Sequence, residues 1–132
     1  GGAELRVDGR VLHSGQLVSY KGVMYGGVPN LAVTFGYTNA SWTLKADLTS
    51  AYVCRLLRHM RRRGLQVCTP DDRDTGALRP MTDFSSGYFQ RAADLLPRQG
   101  SKAPFDLHTN YLRDVLRLRW GRVDDGTLRF AA

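Results

Sequence analysis

Apolar residues fall into three kinds of spacing along this chain, and each predicts a different element. Between positions 43 and 63, Leu44, Leu48, Tyr52, Leu56 and Met60 recur every four residues, and Val53 and Leu57 widen the stripe. That is the spacing of one face of an α-helix. Ser41 or Thr43 offers an N-cap, and Asp47 stands near the first turn, where the helix dipole favours an anion. Arg61, Arg62 and Arg63 crowd the last turn, where cations are favoured, and Gly64 supplies a left-handed stop. Leu5 and Val7 alternate with Arg6, then Asp8-Gly9 precedes Val11 and Leu12, which predicts a hairpin with a two-residue turn. The compact apolar run "LAVTF", 31–35, predicts a buried strand.

Between these elements the pattern is weaker. Residues 16–30 read as short extended pieces, punctuated by Gly22, Gly26 and Gly27 and closed by Pro29. Residues 67–83 carry mixed charge, two prolines and no period, the composition of a long surface connection. A second helix is expected at 85–96, capped by Ser85 or Ser86 and stopped before Pro97. After a loop at 97–104, a third helix is expected at 105–119. It would turn Leu107, Tyr111, Val115 and Leu118 inward and Asp106, Asn110, Arg113 and Arg117 outward. The tail, 123–130, predicts a turn and a short strand. The fold class is α+β: a hairpin and short antiparallel strands, about three helices, then a final strand. This order lacks the alternation of a complete doubly wound domain.

Composition narrows the possibilities. The 132 residues, 42% of them hydrophobic, suit one compact domain or a piece of a larger protein. No stretch approaches 18 consecutive apolar residues, so neither a membrane span nor a membrane partner is expected. The start, "GGAELRVDGR", resembles no signal peptide and does not begin with Met, which fits either a processed chain or a fragment of a longer protein. Cys54 and Cys68 are too few for a disulfide scaffold. Both are expected as reduced thiols, Cys54 buried in the helix, in a cytoplasmic protein. The net charge is +7, with only three lysines (Lys21, Lys45, Lys102) among 19 basic residues. A basic balance admits nucleic acid as a partner, through Arg55, Arg58, Arg61, Arg62 and Arg63. The one short cluster, 61–64, already has a helix-capping explanation.

Few motifs carry chemistry. There is no G-x-G-x-x-G and no G-x-x-x-x-G-K-[ST], hence no phosphate cradle. His13, His59 and His108 stand far apart in different elements and are read as structural. The aspartates at 71, 72 and 74 and the pair at 124–125 sit in turn-like contexts and do not match a calcium loop, so no metal is expected. What remains is "NLAVTFGYTNASWTL", 30–44, where a strand meets a helix N-terminus. Tyr37 and Trp42 could pack on a flat ring while Thr38, Asn39 and Ser41 hydrogen-bond its edge. Equally, these residues could do no more than cap the helix, with Trp42 in the core.

The stretch 20–60, which contains "GVPNLAVTFGYTNASWTLKADL", resembles the C-terminal portion of FAD-containing monooxygenases. The likeness continues through "SSGYFQRA", "LPRQGSKAPF" and "NYLRD" and is weakest at 65–82. It is closest to the Baeyer–Villiger-type branch that includes bacterial activators of thioamide drugs. The resemblance implies FAD and NADPH held by two dinucleotide-binding domains, and insertion of one oxygen atom from O2 into a ketone or soft heteroatom. It places Asn39, Ser41, Trp42, Thr43 and Leu44 beside the flavin, with the helix N-terminus facing the ring's N1–C2=O side. The glycine motifs for both cofactors, the histidine-containing fingerprint between them and the family's peroxide-supporting arginine lie outside this chain. The resemblance therefore implies a C-terminal fragment of an enzyme of about 500 residues, the length class two dinucleotide domains require. Residues 1–64 would complete the FAD domain, 65–82 would be a connection and 83–132 a helical extension. Such a fragment is expected to be inactive by itself and to bind neither cofactor. Its expected partner is the remainder of the enzyme. Self-association through exposed apolar faces is the alternative, and nucleic-acid binding the third reading.

Overall fold

The computed structural model describes residues 4–36, 40–81 and 93–132. Among these residues, eight short strands pair into four two-stranded antiparallel sheets, accompanied by one long helix. The α+β class and the short antiparallel strands agree with the sequence pattern. The hairpin is β1 (Leu5–Val7) and β2 (Arg10–Leu12), joined by Asp8 at φ 49° and Gly9 at φ 79°. A second tight turn joins β3 (Ser19–Tyr20) to β4 (Met24–Tyr25). Its central residues, Lys21 at φ 54° and Gly22 at φ 67°, are both left-handed, and Val23 N–H donates to Tyr20 C=O at 2.9 Å. Two successive positive φ angles define a type I′ turn, which glycine adopts freely and lysine does not.

Helix α1 spans Trp42–Arg63. Ser41 is its N-cap, accepting from Thr43 N–H at 3.3 Å, and Gly64, at φ 66°, ends it. Leu48, Tyr52, Leu56 and Met60 are buried on one face. They pack against Tyr20, Val23 and Met24, and against Cys68, Phe105, Leu118 and Leu128 from later in the chain. A smaller cluster joins Leu17, Tyr25 and Val28 to the hairpin and to Leu31, Val33 and Phe35.

Four expectations need correction. Residues 31–35 do not form a strand: only Ala32 makes a bridge, to Met24, and Leu31, Val33 and Phe35 are half-buried. The stretch after α1 is not all connection, because Val67–Pro70 forms β5 and Arg79–Pro80 forms β6. β5 pairs with β8 (Leu128–Ala131), the strand expected at the tail, and β6 pairs with β7 (Arg98–Gln99). Pro70 closes β5 and turns inward with Cys68, so the prolines that hid the strand are part of it. The last helix begins at Tyr111, not at 105: α2 runs Tyr111–Asp114 and widens into a π-helix over Val115–Trp120. Phe105 N–H and Asp106 N–H turn back to Lys102 C=O, which drops Phe105 into the core, and the helix waits for its true cap, Asn110. Arg117, expected outside, points back to bond Asp106 at its carbonyl (2.8 Å) and carboxylate (2.6 Å). Finally, Cys54 is exposed, while Cys68 is buried and its thiol is pushed up to about 11 by that burial. The helix expected at 85–96 falls mostly outside the described residues; Ala93–Leu95 is a 3-10 turn.

Charges tie the C-terminal segment to the rest. Lys21 Nζ lies 2.7 Å from Asp125 and 5.1 and 5.2 Å from the ring centres of Tyr20 and Tyr52. Tyr20 donates to the same carboxylate at 2.8 Å and its hydroxyl is 3.3 Å from that of Tyr52. Burial, then each other's proximity, raises the Tyr20 hydroxyl far above its ordinary range, and burial lifts Tyr52. Burial lowers Lys21, partly offset by Asp125. Burial pushes Asp125 up, but Lys21, Thr127 N–H and Tyr20 outweigh it and hold the carboxyl below its usual range. A second buried pair joins Lys45 to Asp114 at 2.7 Å, with side chains 7% and 6% exposed. Arg55 donates to the carbonyls of Leu118 (2.8 Å) and Gly121 (2.5 Å), capping the π-helix.

Three outcomes follow from this packing. Leu48→Ala lowers unfolding free energy by about 2–5 kcal/mol, whereas Leu57→Ala, at a site 59% exposed, changes it by under about 1 kcal/mol in urea titrations. Asp125 and Asp106 sit below their ordinary values, and Asp71, bound by Arg73, sits at about 2. Folded values below the unfolded ones give stability that is full above about pH 4 and is lost as pH falls through the folded values. Melting followed from pH 7 to pH 2 therefore shows a falling midpoint below about pH 4, and Asp71→Asn flattens that slope; an unchanged slope would refute the assignment. A thiol reagent labels one cysteine at once, Cys54, and reaches Cys68 only on unfolding.

Candidate functional site

The exposed N-terminal end of α1 gathers the predicted site residues that the structure describes. Ser41 Oγ, besides capping, lies 2.7 Å from Thr43 Oγ1, so the two hydroxyls form one polar edge. Trp42 is 60% exposed, and Leu44 38%. Trp42 is thus not a core residue, which removes one half of the capping-only alternative. Its ring lies directly over Gly36: a β-carbon there would stand 2.2 to 2.3 Å from three ring atoms. Gly36 is required by close approach, not by its φ. Tyr37, Thr38 and Asn39 lie outside the described residues.

A platform of this kind can do a limited set of things. It presents an indole face, two hydroxyls and the positive end of a 22-residue helix dipole to solvent. These suit the edge of a planar, electron-rich ring, especially one that gathers negative charge. They do not suit a pyrophosphate, which needs backbone N–H groups freed by clustered glycines. Among the described residues no group of three or more His, Cys, Asp or Glu side chains could hold a metal ion. Nor is any described helix long and apolar enough to cross a membrane.

The sequence reading missed the residue that fixes this platform. Lys45, three residues beyond Trp42 in the first turn of α1, points inward, and its ammonium lies 2.7 Å from Asp114. The signal was present in the composition. Only three of 19 basic residues are lysines, and the two that stand at a turn and at a helix start, Lys21 and Lys45, are both buried. The histidines have no shared site. His108 pairs with Asp106 at 2.7 Å, and His59 stacks near Phe130.

The same residues can be compared with known proteins. No established family profile matches the chain, and no solved structure matches it. Whole-chain matches exist among curated sequences. The chain is 47% identical over 132 residues to the FAD-containing monooxygenase EthA of Mycobacterium tuberculosis, covering 99% of this chain. It is 47% identical over 134 residues to the putative FAD-containing monooxygenase MymA of the same organism, covering all of this chain. It is 41% identical over 134 residues to the probable FAD-binding monooxygenase AlmA of an Acinetobacter species, covering 98% of this chain. In each case it spans 27% of the relative's length. By sequence, the chain is homologous over its whole length to about a quarter of the length of proteins named FAD-containing or FAD-binding monooxygenases.

Proposed function

We propose that this chain is the C-terminal segment of an FAD- and NADPH-dependent monooxygenase of the Baeyer–Villiger type, and that the start of α1 covers the flavin ring. The observation that carries the reading is the exposed end of α1, where Ser41, Trp42, Thr43 and Leu44 face solvent within a homologue of flavoenzymes. Bound FAD, reduced by NADPH, would supply the electrons with which O2 is activated and one oxygen atom is delivered to a ketone or soft heteroatom. The residues of this chain orient and shield that ring. Trp42 and Leu44 exclude water from it. Ser41 and Thr43 hydrogen-bond its edge, and Asn39, outside the described residues, is assigned to the same edge by the resemblance alone. The helix N-terminus stabilises negative charge on its N1–C2=O side. Lys45 and Asp114 hold the first turn in place behind them.

A partner surface supports the same reading. Met24, Ala32, Val53, Leu57 and Met60 line an open, mostly apolar groove of about 260 Å³ beside α1. The backbone at 31–35, bridged only at Ala32, leaves an edge to which a further strand could be added. The remainder of the enzyme is the occupant this reading assigns. A second copy of the chain is the alternative, giving a self-associating module; light scattering that finds a clean monomer at high concentration counts against it. The arginines expected to serve nucleic acid are partly spent inside, Arg55 on helix carbonyls.

Desalted after mixing with FAD, the isolated chain elutes without flavin colour, and with FAD present it does not accelerate NADPH oxidation; tight, stoichiometric FAD binding would overturn the fragment account. In a longer polypeptide that carries both dinucleotide motifs, Trp42→Ala weakens FAD retention by about tenfold, roughly 1.4 kcal/mol, and shifts the flavin absorption band. Gly36→Ala, which displaces the Trp42 ring, reproduces both effects. A flavin spectrum indifferent to both substitutions would remove the ring-covering role.

A further inference from the structure

The far end of α1 carries a second concentration of function-bearing groups, unconnected with the ring-covering role. Arg58, His59, Arg62 and Arg63 line one open cavity of about 340 Å³, backed by Arg55 and Val123. The back is rigid, because Arg55 is held by the carbonyls of Leu118 and Gly121 at 2.8 and 2.5 Å. His59 is fixed by its ring contact with Phe130 of β8, at a centroid separation of 5.3 Å. Among the described residues, the acid that pairs with this group is Asp124, 3.7 Å from Arg63. Arg58 and Arg62, one helical turn apart, have no ion-pair partner among the described residues.

Capping of the helix dipole explains why cations gather here, but two observations exceed it. Dipole stabilisation needs no convergence on a cavity; side chains spread into water would serve as well. And His59 Nε2 is buried with no hydrogen-bond partner, although a buried polar atom is nearly always paired, so an orphan marks a missing partner.

We propose that this cavity is a binding site for a small phosphate-bearing anion. Guanidinium forks match phosphate oxygens in pairs, and a phosphate accepts several donors at once. Arg58 and Arg62 would grip two oxygens and Arg63 a third in exchange for its long contact with Asp124, and a small turn of the His59 ring would bring Nε2–H to the anion. Arg55 adds fixed positive charge from behind. Nucleic acid fits the arrangement less well, since a duplex backbone wants a track of cations along a face, and here they converge on one pocket.

Calorimetric titration of the 132-residue chain at constant ionic strength tests the site, with inorganic phosphate, pyrophosphate and adenosine monophosphate set against chloride. Phosphate or pyrophosphate binds one to one, chloride does not compete, and Arg58→Gln and Arg62→Gln each weaken binding by about tenfold. Arg61→Gln, on the same helix end but outside the cavity, leaves it unchanged. All three positions are exposed, and circular dichroism verifies that each variant is folded. Tighter adenosine monophosphate than inorganic phosphate identifies a nucleotide as the source, and equal binding identifies the free anion. Equal losses at positions 61 and 62, or no preference over chloride, refute the site. Duplex DNA that binds while pyrophosphate neither binds nor competes refutes it in favour of nucleic acid.

Discussion

The ion pair between Lys21 and Asp125 is the interaction on which the rest of the architecture turns. Its two partners lie 104 residues apart in sequence, one in a tight turn and the other just before the last strand. An ammonium group cannot be buried alone, because desolvation costs several kcal/mol unless a counter-charge and donors or acceptors satisfy it. Lys21 finds a carboxylate, a carbonyl from Arg122 and two aromatic faces in one place. The turn that presents it must be left-handed at Lys21 itself. Backbone strain is thus accepted at one residue so that a charge can be delivered to the centre of the molecule. Once it is there, the 122–125 segment cannot leave without exposing an unpaired charge on one side or the other.

The same logic repeats at smaller scale around α1. Lys45 and Asp114 join its first turn to α2, and Arg55 joins its middle to the end of the π-helix. In a chain with only short strands, the sheets cannot provide long-range order by themselves, since two-stranded pieces are marginal alone. Buried cations that reach across the sequence take over that role. They also account for two of the three lysines, and for Arg55 and Arg117, in a composition that by itself suggests acidic partners.

How much of this could be read in advance depended on whether a signal was local. The first hairpin, α1 with its serine cap and glycine stop, and the final strand each carry their instructions within a few residues, and all three were legible. Strand β5 was not, because its reason for existing is β8, some sixty residues later, and "VCTP" alone reads as a connection. The start of the last helix was misjudged because Leu107, Tyr111, Val115 and Leu118 keep a helical apolar spacing although Leu107 precedes the helix; the decisive residue was Asn110, whose capping side chain outranks periodicity. At the site, residue types identified Ser41 and Trp42, but not that Trp42 lies outside on Gly36 rather than in the core. The burial of Lys45 left only an indirect trace, the scarcity of lysine.

Helix α1 also sets a distance. Twenty-two residues at 1.5 Å each make a rod of about 33 Å, with Trp42 at one tip and Arg63 at the other. Charges that far apart in salt water are screened almost completely, since the Debye length is about 8 Å. Whatever happens at the arginine end therefore cannot be felt electrically at the indole end. It can be transmitted only mechanically, by tilting or sliding the rod against α2 and the Lys45–Asp114 contact, which makes that buried pair the fulcrum of any communication along the helix.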